Sequence, residues 1–184
     1  MEINRKIDVV IPVYNAFAVL QNCLASLELY QDGIENIILI DDASSDKNVV
    51  NLVRSYSKKN NWNLIKHDKN LGFVKTANEG LKISKNNTIL LNSDTVVSEY
   101  WIQAFNKLLK NNSTIGTATA WSNNAEICSF PQFLQNNKIP ENLNRLSEIL
   151  YKNYQPQYPE IPTAVGFCML ITKQAKQTIG YFDE

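Results

Sequence analysis

Between residues 7 and 109 a short, β-branched apolar run is followed by a stretch with helical spacing four times over. That alternation constrains the chain more than any other feature. Residues 7–13 are apolar enough for a strand buried on both faces, and Pro12 is expected to end its pairing. Leu20, Cys23, Leu24 and Leu27 then recur at i, i+3, i+4 and i+7, one face of a helix, with Gly33 as a stop. A second unit follows with a strand at 36–40 and a helix turning Val49, Leu52, Val53 and Tyr56 inward, capped by Ser44, Ser45 or Asp46. The third has a weaker strand at 62–66 and a helix over 74–83 with Val74, Ala77 and Leu81 on one side. The fourth has a strand at 88–91 and a helix bearing Trp101, Phe105, Leu108 and Leu109, with Ser98 as its cap. Strands separated by helices pair in parallel, so an α/β fold with a mostly parallel central sheet flanked by helices is expected.

A further strand is expected at 115–121, after which the rhythm fails. From 122 to 162 asparagines, prolines and one short helical stretch (Leu143, Leu146, Ile149, Leu150) form an irregular excursion. An apolar strand at 163–171, containing Gly166, and a short helix closed by Gly180 restore the pattern. At 184 residues and 44% apolar content the chain suits one domain and is short for two.

Lys plus Arg and Asp plus Glu number 18 each, so no net field draws a polyanion, and no basic block points to nucleic acid. Cys23, Cys128 and Cys168 are odd in number and set among apolar neighbours, which reads as buried, reduced thiols in a cytoplasmic protein. No apolar run approaches the ~20 residues of a membrane span.

Three strand exits carry polar or aromatic groups: Ile11-Pro12-Val13-Tyr14-Asn15, Ile38-Leu39-Ile40-Asp41-Asp42 and Leu91-Asn92-Ser93-Asp94-Thr95. Open α/β sheets bind ligands at such exits, so one shared cleft is expected. Neither a Gly-x-Gly-x-x-Gly after the first strand nor a Gly-x-x-x-x-Gly-Lys-Ser/Thr occurs, which disfavours those two styles of phosphate cradle. Asp94 can hold a hard divalent cation, since such ions often take one or two protein carboxylates and fill the rest with phosphate and water. It can equally cap its own turn. Of Asp41 and Asp42, one is expected to face the cleft while the other braces local amides. Tyr14 suits stacking beside a nucleobase or packing at the rim. Lys75, at a helix start, could reach a phosphate or remain a solvated lysine. His67, the single histidine, shows no partner and reads as a solvated turn residue.

Those exits, together with Asn70-Leu71-Gly72-Phe73, Asn78, Gly166-Phe167-Cys168-Met169-Leu170-Ile171 and Gly180-Tyr181-Phe182-Asp183-Glu184, resemble the family 2 glycosyltransferases, of GT-A fold, in order and spacing over essentially the whole chain. The resemblance implies a nucleotide-diphospho-sugar-binding domain whose sheet begins in the order 3-2-1-4. By position Pro12, Val13 and Tyr14 look like the nucleoside wall, and Asp42 is similar to the residue that hydrogen-bonds the base. Asn70 and Gly72 would shape a loop and Lys75 approach nucleotide or phosphate. Asn92, Ser93 and Asp94 occupy the place of the Asp-x-Asp motif, with asparagine replacing its first acid. Asp94 matches the metal ligand for Mn²⁺ or Mg²⁺, and Gly166 and Phe167 would line the donor-sugar or acceptor side.

The resemblance further implies inverting transfer from a UDP-, dTDP- or GDP-sugar to a glycan or lipid-linked acceptor in surface polysaccharide synthesis. Asp183 and Glu184 match the lead-in to an acidic motif that supplies the base, so the base is expected beyond Glu184. The chain then reads as an N-terminal fragment of a longer cytoplasmic protein, with little transfer activity alone and peripheral membrane contact, if any, through a further C-terminal region. Two alternatives compete. A sugar-phosphate nucleotidyltransferase needs a Gly-rich, Arg-containing loop after strand one, which 11–15 lacks. A non-catalytic nucleotide-sugar-binding or partner module would use the same cleft without a base.

Overall fold

The structure, a computed structural model, describes residues 6–153 and 158–184. The polar lead at 1–5 and part of the excursion, 154–157, lie outside the described residues. Six strands, β1 (Ile7–Val13), β2 (Asn36–Asp41), β3 (Asn63–Lys66), β4 (Asn87–Leu91), β5 (Thr117–Thr119) and β6 (Cys168–Ile171), form one sheet in the order β3-β2-β1-β4-β6-β5. Among the described residues six α-helices accompany them, α1 (Phe17–Leu29), α2 (Lys47–Asn60), α3 (Phe73–Ile83), α4 (Trp101–Asn111), α5 (Leu143–Asn153) and α6 (Lys173–Ile179), with a short 3-10 turn at Glu126–Cys128.

Every residue of β1 and β4 is buried, as the continuous apolar runs require of strands covered on both faces. Alternate side chains divide between two cores. Val9 and Ile11 join Leu20, Leu24, Leu27, Val49, Val53, Ile102 and Phe105 on the face covered by α1, α2 and α4. Val10 and Ile38 pack with Ala77 and Leu81 of α3 on the other, where Ala175 of α6 also lies. The expected face of α5 is not buried, Ile149 being exposed, whereas in α1 to α4 the expected faces are the buried or partly buried ones, with one exception. Val74 in the first turn of α3 is exposed, because only the later turns of that helix reach the sheet.

Several sequence expectations are corrected. Pro12 does not end β1: its register with Ile40 continues to Val13 and Asp41, whereas the β4 ladder stops at Val10 and Leu90. A proline lacks a donor toward one neighbour only, so the ladder on its other side survives. The fifth and sixth strands shorten from 115–121 and 163–171 to Thr117–Thr119 and Cys168–Ile171. β6 pairs antiparallel with both β4 and β5. The excursion leaves β5 and returns at the same end of the sheet, and a strand entered there must run back. Ser98 does not cap α4; Tyr100 occupies the cap with φ 66°, and the Ser98 hydroxyl pairs with Ser147 of α5 instead. Among the three candidates for the α2 cap, Asp46 accepts from the Asn48 amide. The three cysteines are buried and free. No helix of the described residues is long and apolar enough to cross a membrane.

Candidate functional site

β1 lies between β2 and β4, so its exit is flanked by both of theirs. The ladder pairs Ile7 with Asn87 and Val10 with Leu90, so the Tyr14 and Asp94 segments leave adjacent strands at the same end of the sheet. On the other side Val13 is level with Asp41, and the Asp42 amide donates to the Val13 carbonyl at 2.8 Å. Pro12 and Val13 are buried under this rim, while Tyr14 is 52% exposed and free to present its ring.

The β1 and β2 exits are stitched together by Asn15. Its backbone, with φ 55°, and that of Ala16, with φ 59°, both take the left-handed conformation that lets the chain turn into α1. The Asn15 carboxamide oxygen accepts from the amides of Ser45 and Asp46, each at 3.0 Å, and its own amide donates to the Ser44 hydroxyl at 2.9 Å. Asp41 accepts from the Ser44 amide at 3.0 Å.

Asp42 binds the next loop along. One carboxylate oxygen accepts from the Leu71 amide at 2.8 Å and lies 2.7 Å from Nδ1 of His67; the other accepts from the Gly72 amide at 2.9 Å. Both acids of the pair are therefore about 3% exposed and both brace backbone, in place of one facing open solvent in the cleft. A carboxylate offers about four acceptor positions, so Asp42 retains one for a further donor.

His67 is not a solvated turn residue. Its side chain is 8% exposed and sits between Asp42 and Glu79, with Nε2 2.6 Å from the Glu79 carboxylate. Burial opposes charge on the ring, but the hydrogen bonds to Asp42 and Glu79 outweigh it, and its pKa is raised above 6.5. Burial likewise acts against charge on Asp42, yet His67 and the two loop amides hold its carboxyl below the usual range. The partners lie 25 and 12 residues away in the chain, which is why neither shows in the sequence.

The 70–72 turn that Asp42 holds leads into α3. Asn70 is exposed and its carboxamide donates to the Asp42 carbonyl at 3.2 Å. Gly72 has φ 84°, a conformation L side chains rarely adopt, and a Cβ there would meet nothing within 4 Å, so backbone angle alone demands glycine. Lys75 projects exposed from the first turn of α3.

At the β4 exit the Asn92 amide donates to the Phe167 carbonyl at 2.8 Å, and the Thr95 amide folds back to the Asn92 carbonyl at 3.1 Å. The Thr95 hydroxyl also reaches the Phe167 carbonyl. This tight turn leaves Asn92 and Ser93 half-buried and Asp94 exposed. Phe167 is half-buried against the core and Gly166 is exposed, with open space where a Cβ would point. Below the turn, Cys23 is pushed up to about 12 by burial and then by the negative charge of Asp94, against the opposing pull of the Thr95 amide. A buried thiol pushed this high is a poor nucleophile.

Among the described residues no three His, Cys, Asp or Glu side chains cluster to enclose a metal ion. An exposed lone carboxylate beside an open rim instead fits a hard cation that completes its shell with phosphate oxygens and water. On the far side of α3, buried Asn78 pairs reciprocally with Phe182, donating to its carbonyl at 2.8 Å and accepting from its amide at 3.0 Å. Asn78 also reaches Glu184 at 3.3 Å, fixing the segment after Gly180 against that helix. The sequence quotes Asn15 and Asn78 but gives neither a role, since each acts across more than 25 residues.

The model of glycosyl transferase family 2 matches residues 8–180. The poly-beta-1,6-N-acetyl-D-glucosamine synthase of Staphylococcus epidermidis is 27% identical over 175 residues, covering 92% of this chain and 40% of the synthase. S. aureus TarS 1-349 in complex with UDP-GlcNAc superposes with a TM-score of 0.67 at 19% identity, over 97% of this chain and 48% of that one. The mannosyltransferase PcManGT from Pyrobaculum calidifontis, in complex with GDP-Man and Mn2+, gives a TM-score of 0.66 at 14% identity, over 97% and 47%. The chain thus spans two-fifths of the curated relative and about half of these structures. At such identities the structures establish the GT-A fold, while the family match over most of the chain establishes more: this is a member of glycosyl transferase family 2.

Proposed function

We propose that this domain binds a nucleotide-diphospho-sugar with Mn²⁺ or Mg²⁺ and serves inverting transfer of the sugar to a glycan or lipid-linked acceptor in surface polysaccharide synthesis. The observation that carries the reading is the β1–β4 pairing, which brings the segments bearing exposed Tyr14 and exposed Asp94 out of adjacent strands at one end of the sheet. Tyr14 over Pro12 and Val13 provides a flat wall for a base. Asp42 has an acceptor position left for a base N–H. Lys75 and the amides opening α3 suit the diphosphate. Gly166 leaves open space next to Phe167, beside the Asp94 turn, which suits the donor sugar.

Asp94 would hold the ion, and with asparagine at position 92 where the family motif has its first acid the site carries one carboxylate fewer. When bound, the cation offsets the charge that develops on the departing nucleoside diphosphate. The acceptor hydroxyl attacks the anomeric carbon from the face opposite the diphosphate; the new C–O bond forms as the old one breaks, and a base removes the hydroxyl proton. Asn78 anchors the segment after Gly180 against α3. The relatives' names favour this reading: one makes a β-linked N-acetylglucosamine polymer, and the superposed structures hold UDP-GlcNAc or GDP-Man with Mn2+.

Calorimetric titration with UDP, dTDP and GDP sugars, with and without Mn²⁺ or Mg²⁺, tests the proposal. Cation-dependent binding of one class is expected, weakened about 100-fold by Asp94→Ala, the upper range seen when a metal site loses a supporting group. Binding indifferent to both cation and Asp94, or no binding at all, would refute it.

A further inference from the structure

We propose that His67 is a positioning residue for nucleotide binding: as an imidazolium it ties Asp42 at the β2 exit to Glu79 on α3, and nucleotide affinity falls when the ring becomes neutral. This rests on the reading of the cleft as a nucleotide site. Both ring nitrogens lie within 2.7 Å of a carboxylate oxygen. A neutral imidazole has one N–H, so only the cation donates to both acids. The charged groups facing the ring are these two, one from the end of β2 and one from α3.

The bridge matters because of what Asp42 holds. Its carboxylate accepts the amides of Leu71 and Gly72, where the chain turns into α3 and toward Lys75. Its own amide is bonded to Val13, beside Tyr14. His67 therefore links the base wall to the helix proposed to meet the diphosphate. When the ring is neutral, one nitrogen turns a lone pair toward a carboxylate. Glu79, 38% exposed, is the partner free to swing into water, and α3 loses its tie to the strand exit. The bond that remains to Asp42 loses its charge assistance. With the histidine pKa raised above 6.5, the bridge is complete below that value and is lost as pH rises through the raised one.

The test measures affinity of the full chain, with Mg²⁺, for whichever of UDP, dTDP and GDP binds most tightly, at about pH 6, below the ordinary histidine value, and at about pH 9, well above it. The wild type is expected to weaken roughly tenfold across that range, the worth of one charge-assisted hydrogen bond. His67→Gln should be weak and equal at both values. Glu79→Gln, altered at a half-exposed surface position, should stay tight at both, because a neutral ring can accept from the new amide. A merely structural histidine would not produce that rescue. Wild-type affinity independent of pH, or a His67→Gln profile parallel to the wild type, overturns the inference and leaves the proposed function standing. No binding by any of the three at either pH removes both.

Discussion

A single buried lysine shows how far the chain goes to satisfy charge away from the cleft. Lys176 of α6 is 7% exposed, and its ammonium donates to the Ser84 carbonyl at 2.9 Å and the Thr88 hydroxyl at 2.7 Å, with longer bonds to the Leu81 carbonyl and the Ser84 hydroxyl. The Ser84 hydroxyl in turn donates to buried Asp8 at 2.6 Å. Burial pushes Lys176 down to about 8, partly opposed by Asp8 and reinforced by Lys173. Lys176→Met should cost about 2 kcal/mol at neutral pH, since it leaves these buried acceptors without their donor. Between pH of about 8 and 10.5 the unfolded chain keeps a proton that the folded chain has shed. Stability contributed by this residue therefore rises with pH across that window. Denaturant melts of the two proteins at each end check the sign: the gap between wild type and Lys176→Met should widen at the alkaline end. Asp8 and Thr88 open β1 and β4, the strand ends opposite the cleft, so nucleotide binding should be unaffected.

At the scale of elements, α3 is the pivot. It packs so closely on the sheet that a Cβ at Gly80 would lie 2.2 Å from Val10 Cγ1 and 3.1 Å from Ile40 Cδ1. Alanine would gain about 1 kcal/mol of helix propensity, but overpacking costs about 1–3 kcal/mol. Gly80→Ala is therefore expected to lower stability by about 1 kcal/mol, the middle of the net range, and to displace α3, weakening nucleotide binding as well; thermal melting and the titration above measure the two effects. A gain in stability would mean the helix backs away without penalty. Helices were the legible elements, because their apolar spacing records one face: Leu20, Cys23, Leu24 and Leu27 are all buried as that spacing requires. Strand direction was not legible. The apolar run of β6 reads identically in either sense, and only the return of the chain at one end of the sheet decides it. The cap at Ser98 failed for a related reason, since its hydroxyl is claimed by α5, 49 residues on.

For the molecule as a whole, alternating strands and helices with three polar exits were enough to expect one cleft where those strands leave the sheet, and family membership accounts for the fold. Residues adjacent in sequence to an exit, Tyr14 and Asp94 among them, could be picked out directly. The bonds that hold the exits in place could not: Asn15 to the 44–46 loop, His67 to Asp42 and Glu79, and Asn78 to Phe182 all join segments distant in the chain. In the described part of the excursion α5 buries none of its residues, and Phe133, Leu134 and Ile139 are exposed.

The central claim is that one acid at the β4 exit holds the cation against a nucleotide stacked at the β1 exit. A crystal structure of this chain with UDP-GlcNAc and Mn²⁺ addresses it directly. The account predicts an Asp94 oxygen and both phosphates on the same ion, with the base lying on Tyr14. A nucleotide bound elsewhere, or an ion at the cleft with Asp94 turned away from it, would contradict the account.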